Sequence, residues 1–196
     1  MGRTPTITND QILEAARAVF LEQGFGATAV EVAARAGISS ASIFKRFPTK
    51  EALFLAAMSP LPHERVWTPE LAAQIGHGDT KADLLLIAQR IAAYTDEVVP
   101  RMLLVRSSGL LGQIPAPPRV EADFVKLTAY FEREMALGRI TPTDPNIPAL
   151  ALLHATAGHA IARVAQPQAV GMNATAFLEQ FVALLWQGLE AKTKGG

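Results

Sequence analysis

Cysteine is missing from all 196 residues, so no disulfide framework holds this chain and its stability has to come from packing. Net charge is missing too. Eighteen basic and 18 acidic residues cancel, so composition gives no sign of a nucleic-acid partner, and any such sign must lie in where the charges sit. Long apolar runs are absent: LLLIA at 84–88 and VALLW at 182–186 are five residues each, against the roughly twenty a membrane span requires. The amino terminus, MGRTPTITNDQ, has no apolar stretch like that of a secretory leader. These absences predict a soluble, cytoplasmic chain without a membrane partner.

Catalytic signatures are also wanting. Ser107 and Ser108 stand outside any G-x-S-x-G elbow, and no glycine-rich phosphate loop follows a strand. His154 and His159 are five residues apart, about 140° around a helix, whereas a zinc-binding H-E-x-x-H pair is spaced by four. Asp96 and Glu97 are assigned to a helix start. No catalytic residue, metal or cofactor is expected. Neither alternation of strand type, internal repeat nor low-complexity tract appears, and the fold class is all-α. A chain of this length can bury roughly 70% of its unfolded surface, enough for a small domain joined to a larger one.

What is present concentrates near the start. Thr28 and Glu31 form a capping-box pair, in which hydroxyl and carboxylate each satisfy an unpaired backbone amide. A helix should begin at about Ala29, with Val30, Val32, Ala33 and Ala36 as its apolar side and Gly37 as its left-handed stop. Ser39 can cap a second helix after a tight turn, the spacing of a helix-turn-helix pair. On that helix Ile43 and Phe47 point inward, leaving Ser40, Ser42, Lys45 and Arg46 on other faces. Arginine can bridge guanine with two hydrogen bonds, and serine can donate or accept. Lys50, just inside the next helix, opposes the positive helix end; with no intramolecular gain expected, a phosphate partner accounts for it. Thr8 and Gln11 form an earlier capping box, ahead of an inward stripe of Ile12, Ala16, Val19 and Phe20 and a stop at Gly24. Residues 1–52 carry six cations against five acids, so attraction to phosphate rests on the local cluster and on Arg3, placed to reach a minor groove.

The stretches ILEAARAVFLEQGF at 12–25, AARAGIS at 33–39 and FPTKEALF at 47–54 resemble the DNA-binding domain of the tetracycline-repressor (TetR) family of bacterial transcription regulators. By that resemblance Thr28 touches a phosphate, Ser40, Ser42, Lys45 and Arg46 face the groove, and Lys50 holds backbone phosphate. The full DNA-contact set is then Arg3, Thr28, Ser39, Ser40, Ala41, Ser42, Phe44, Lys45, Arg46 and Lys50. Three residues depart from the family pattern. Phe44 stands where a phosphate-binding tyrosine is usual, Ala41 where glycine is frequent and Arg46 where histidine is common. The Phe44 ring is left either to lie against a thymine methyl or to pack on the domain, and Arg46 suggests a guanine in the target half-site.

The remainder reads as helix. A fourth helix from about Lys50 to Met58 should bury Ala52, Leu53 and residues 55–57, before Pro60 and Pro62 open an irregular connection with one short helix from Pro69 to Ile75. Next come a helix from Asp79 or Thr80 to near Tyr94 and another capped by Asp96, with Pro100 in its first turn. After Pro117 and Pro118, a long helix follows with the stripe Val120, Phe124, Leu127, Phe131 and Met135, stopped by Gly138. Asp144 and Pro145 mark the next start. We divide the chain into a helix-turn-helix domain at 1–50 and a helical effector-binding and dimerisation domain at 51–196.

Ala151, Ala155, Gly158, Ala162 and Ala165 step by four, three, four and three, drawing a seam of small residues on a helix that is apolar nearly all round. Phe177, Phe181, Leu184, Leu185 and Leu189 supply a matching surface on the last helix. Covering both calls for a homodimer joined by a four-helix bundle. Two recognition helices would then enter successive major grooves about 34 Å apart on a palindromic operator. In the resembling family the middle helices enclose a small-molecule effector; candidates here are Trp67, Tyr94, Met102, Arg106, Phe124, Phe131, Met135 and His154. Arg106 either meets an acidic ligand group or snorkels to water. The expected function is a repressor released from its operator by a small molecule. An architectural or partner-binding helix-turn-helix protein without an effector is the alternative, and an enzyme the remote third reading.

Overall fold

Thr8, Thr28, Ser39, Thr49, Thr68 and Asn173 each stand one residue ahead of a helix, and each side chain accepts a backbone N–H from the first turn, meeting a donor that the helix itself cannot pair. The computed structural model describes residues 7–59, 65–113, 119–166, 168, 171 and 173–191. Within them lie α1 (Asn9–Gln23), α2 (Ala29–Ala36), α3 (Ser40–Phe44), α4 (Lys50–Met58), α5 (Pro69–Gln74), α6 (Thr80–Ser108), α7 (Arg119–Ala136), α8 (Asn146–Ala165) and α9 (Ala174–Leu189), with a 3-10 turn at Leu111–Gln113. Among the described residues the only strand-like pairing is an isolated bridge between Ile140 and Glu190. Arg3, Pro60, Pro62, Pro117 and Pro118, all named above, lie outside those residues, and the side chain of Val120 is not described.

The chain divides into two compact units. The first holds α1–α4 together with α6 from Pro100 onward; the second holds α5, α6 up to Val99, and α7–α9. This differs from a boundary at residue 50. Leu53, Phe54, Ala57 and Met58 of α4 are buried in the same cluster as Ile12, Ala16, Val19 and Phe20 of α1, so α4 cannot be separated from the helices before it. Phe54 and Met58 are buried, whereas the expected Ala52, Leu55 and Ala56 are only half-buried. Phe20 and Phe25 both meet the Phe54 ring edge-on, at centroid separations of 5.0 and 4.8 Å, a favoured aromatic geometry.

The core of the second unit gathers Leu84, Ile87, Ala88 and Ile91 of α6, Leu127, Tyr130 and Phe131 of α7, Ala149 and Leu152 of α8, and Leu178, Val182 and Leu189 of α9. Leu189 therefore faces this core and not a partner. A polar network, unforeseen in the sequence, crosses the unit. Thr80 Oγ1 donates to Glu134 at 2.9 Å, Arg139 Nη1 donates to the same carboxylate at 3.2 Å, and Asp83 accepts from the Gly76 amide at 2.6 Å and the Tyr130 hydroxyl at 3.3 Å. Glu134 and Asp83 are buried and are paired, as buried carboxylates must be. Burial, followed by the Asp83 charge, pushes the Tyr130 hydroxyl well above its usual pKa.

α6 corrects a sequence expectation. It is one helix of 29 residues with Pro100 inside it, not two helices with a start at Asp96. The missing Pro100 N–H forfeits one backbone bond, yet Val99, Arg101 and Val105 are buried on either side of the proline and packing carries the helix through. Asp96 instead pairs with Arg163 of α8.

α8 is the one helix among the described residues long and apolar enough, by length and composition, to cross a membrane. Counting uninterrupted apolar residues missed it because His154, Thr156 and His159 break the run. Pro148, Ala149, Leu152, Thr156 and Ala160 form its buried stripe, and it packs against α7 and α9.

Candidate nucleic-acid interface

α2 and α3 are joined by a turn that two local features fix. Gly37 takes φ 69° and ψ 29°, and its amide reaches Ala33 and Ala34, a left-handed stop that residues with a Cβ adopt only at a cost. Ser39 Oγ then accepts the Ser42 amide at 3.2 Å and lies 2.9 Å from Ser42 Oγ. At five residues α3 is too short to be stable alone; Ile43, fully buried in the first unit, and Phe47, packed against it, hold it in place. α2 is anchored by its capping box: the Thr28 amide and hydroxyl donate to Glu31 at 2.7 and 2.8 Å, which holds the Glu31 carboxyl below its usual range. Arg35 of α2 pairs with Glu22 of α1 through two hydrogen bonds of 2.7 and 2.6 Å. Arg17 crosses to the far end of α4, where its guanidinium caps the carbonyls of Ala57 and Ser59 at 3.0 and 3.4 Å. Neither pairing was foreseen, because residues 13 and 40 apart carry no local signal.

With Ile43 turned in, α3 presents Ala41, Ser42 and Phe44 outward, followed by Lys45 and Arg46; all are exposed, as are Thr28 and Ser39, while Ser40 is half-buried. Two cations differ from expectation. Lys50 is half-buried, donates to the Phe25 carbonyl at 2.8 Å and lies 4.3 Å from the centre of the Phe25 ring. The inference that it gains nothing intramolecular is corrected: the α1–α2 loop folds a carbonyl and a ring face onto its ammonium. Arg46 Nη1 donates to the Ile7 carbonyl at 2.9 Å, so its guanidinium is held against the residue preceding the Thr8 cap. The exposed residues thus form a small polar face with one apolar ring in it, on a helix that its neighbours hold rigid.

Residues 12–57 match the family model described as bacterial regulatory proteins, tetR family. These residues are a TetR-family DNA-binding region. The match takes in α1 from Ile12, all of α2 and α3, and α4 to Ala57, so it runs past residue 50. No curated protein matches the chain. Among solved structures, TetR transcriptional regulator SCO0520 from Streptomyces coelicolor is 26% identical with a TM-score of 0.57, covering 95% of this chain and 100% of that one. A TetR family transcriptional regulator from Pseudomonas syringae pv. tomato is 21% identical with a TM-score of 0.60, over 95% and 99%. The transcriptional regulator FadR from Bacillus subtilis, solved in complex with stearoyl-CoA, is 15% identical with a TM-score of 0.60, over 92% and 99%. The likeness extends over both units. TetR-family proteins are DNA-binding regulators and not enzymes.

Beyond residues 12–57, the effector candidates belong to both units. Trp67, Tyr94, Phe124 and Met135 pack against the second-unit core that includes Phe131, and His154 is exposed on α8. Met102 and Arg106 belong to the first unit and are exposed, Met102 at 57%. Of the small-residue seam, Ala151, Ala155 and Ala162 are half-buried and Gly158 and Ala165 exposed. On α9, Phe177, Phe181 and Leu185 are half-buried while Leu184 is 65% exposed. Phe177, Gln180, Phe181, Ala183, Leu184 and Gln187 line an open groove of about 520 Å³. His159 stacks on Phe177 at 4.1 Å and Phe177 on Phe181 at 5.8 Å, three nearly parallel rings running from α8 along α9.

Proposed function

We propose that this chain is a cytoplasmic, homodimeric repressor that binds a palindromic operator through α3 and leaves it when a small-molecule effector binds the second unit. The observation that carries the reading is the outward face of α3: Ala41, Ser42, Phe44 and Lys45 exposed on a short helix locked by two caps and a buried isoleucine. Serine hydroxyls and lysine suit base edges and phosphates. In the proposed complex Thr28 and Ser39 retain their capping bonds while meeting phosphate with their remaining hydrogen-bonding capacity, and Lys50 and Arg46 brace α3 besides approaching the backbone.

Dimerisation is supported by apolar side chains on the outer faces of α8 and α9. Ile147, Leu150, Ile161, Val164 and Leu184 are all exposed, an accumulation that marks an interaction surface. Effector control is supported by relatives: the FadR structure holds stearoyl-CoA, and a further neighbour, of TM-score 0.55, is described as a flavonoid-responsive regulator. An effector acts by binding the two forms of the dimer with different affinity.

Selection of bound sequences from a random DNA pool with the purified protein tests the reading. Enrichment of a two-fold symmetric motif is the expected outcome. Retention of arbitrary DNA would instead favour an architectural protein without an effector. A thermal-shift screen with acyl-CoAs and flavonoids then probes the second unit, where a raised midpoint in proportion to ligand concentration is expected.

A further inference from the structure

We propose that Phe44 determines operator specificity by placing its ring against the C5-methyl group of a thymine in each half-site. The inference rests on α3 being the recognition helix. Phe44 is the last residue of α3 and is 44% exposed, while the inward positions are filled by Ile43 and Phe47. Its exposed part is a large apolar surface on an otherwise polar face. Ala41, three residues earlier and also exposed, adds a methyl to the same side of the helix.

The ring has no hydroxyl with which to hold phosphate, and in the major groove the thymine methyl is the apolar feature a side chain can read. Of the three cations near it, two have competing ties, while Lys45 is exposed. Arg46 holds the Ile7 carbonyl and Lys50 holds Phe25, which favours discrimination by apolar contact over a charged bridge to guanine at this end of α3.

Deoxyuridine differs from thymidine only by that methyl, so the test needs no altered protein. Each thymine of the selected operator half-site is replaced in turn, and affinity is measured by fluorescence anisotropy at fixed salt. At one position in each half-site the replacement should weaken binding about fourfold, the worth of one methyl buried in the contact. Phe44→Ala should weaken binding to the thymine operator by at least that factor and should no longer distinguish thymine from uracil there. Phe44→Tyr, which keeps the ring, should still distinguish them. Specific binding with no uracil-sensitive position would overturn the thymine contact and leave the recognition helix standing. Absence of any selected operator would overturn both. Should Phe44→Ala unfold, the scan with unaltered protein still decides.

Discussion

Lys50 stands where its charge opposes the positive end of α4, and the α1–α2 loop reverses that disadvantage by offering the Phe25 carbonyl and ring. A charge-assisted hydrogen bond outweighs an end-of-helix repulsion of a few tenths of a kcal/mol. Lys50→Met keeps the stem and removes both contacts; it should cost roughly 1–2 kcal/mol, read as a lower urea midpoint at unchanged slope. An unchanged midpoint would mean that the ammonium rests in water. Glu31 makes a statement about pH. Accepting the Thr28 amide, and then its hydroxyl, holds the Glu31 carboxyl below the ordinary carboxylate range. The unfolded chain therefore takes up this proton first as pH falls. The stabilisation is complete above the ordinary glutamate pKa, about 4.3, and disappears as pH drops through the lower folded value. Glu31→Gln cannot titrate, so the stability difference between it and the unaltered protein should close on acidification through that window. A difference constant from pH 7 to pH 3 would refute the assignment.

Helix starts were legible because a cap is local. Thr8, Thr28, Ser39 and Thr49 each sit within three residues of the amide they accept, and the inward stripe of α1 is an arithmetic consequence of 3.6 residues per turn. The exposed face of α3 was legible for the same reason. Ties that span the chain were not: Arg46 meets Ile7 across 39 residues and Lys50 meets Phe25 across 25, and nothing in a local window selects those partners. Asp83, Tyr130 and Glu134 were illegible because acids on a helix read as solvent-facing until a second helix covers them. The course of α6 failed for a related reason. Asp96 and Pro100 imitate a helix start, and only burial of Val99 and Val105 shows that packing overrides the proline. Pro100→Ala restores the amide and should stabilise the protein by roughly 1–3 kcal/mol. Calorimetry checks it, and a lowered midpoint would show that the pyrrolidine ring contributes more by packing than its missing N–H costs.

For the whole molecule, the unresolved balance of apolar surface lies on α8 and α9. Ile161, Val164 and Leu184 are exposed, while the stripes that face the core, Leu152 with Ala160 and Leu178 with Val182, point elsewhere on the same two helices. A helix buried on one side only would carry charge on the other; a second copy of the chain in the proposed dimer answers that demand. Leu184→Glu discriminates between the possibilities. On a lone subunit the glutamate stays in water and costs little, whereas between two protomers it is an unpaired buried charge, costing several kcal/mol. Sedimentation equilibrium should then report a mass near the 21.0 kDa of one chain for the variant and twice that for the unaltered protein, with helical circular dichroism the same in both. Affinity for a full palindrome should fall toward that for a half-site, because each recognition helix then binds without its mate fixed about 34 Å away. A variant that remains dimeric and keeps its affinity would move the interface off α9, and the groove beside Phe177 and Phe181 would then need a different occupant.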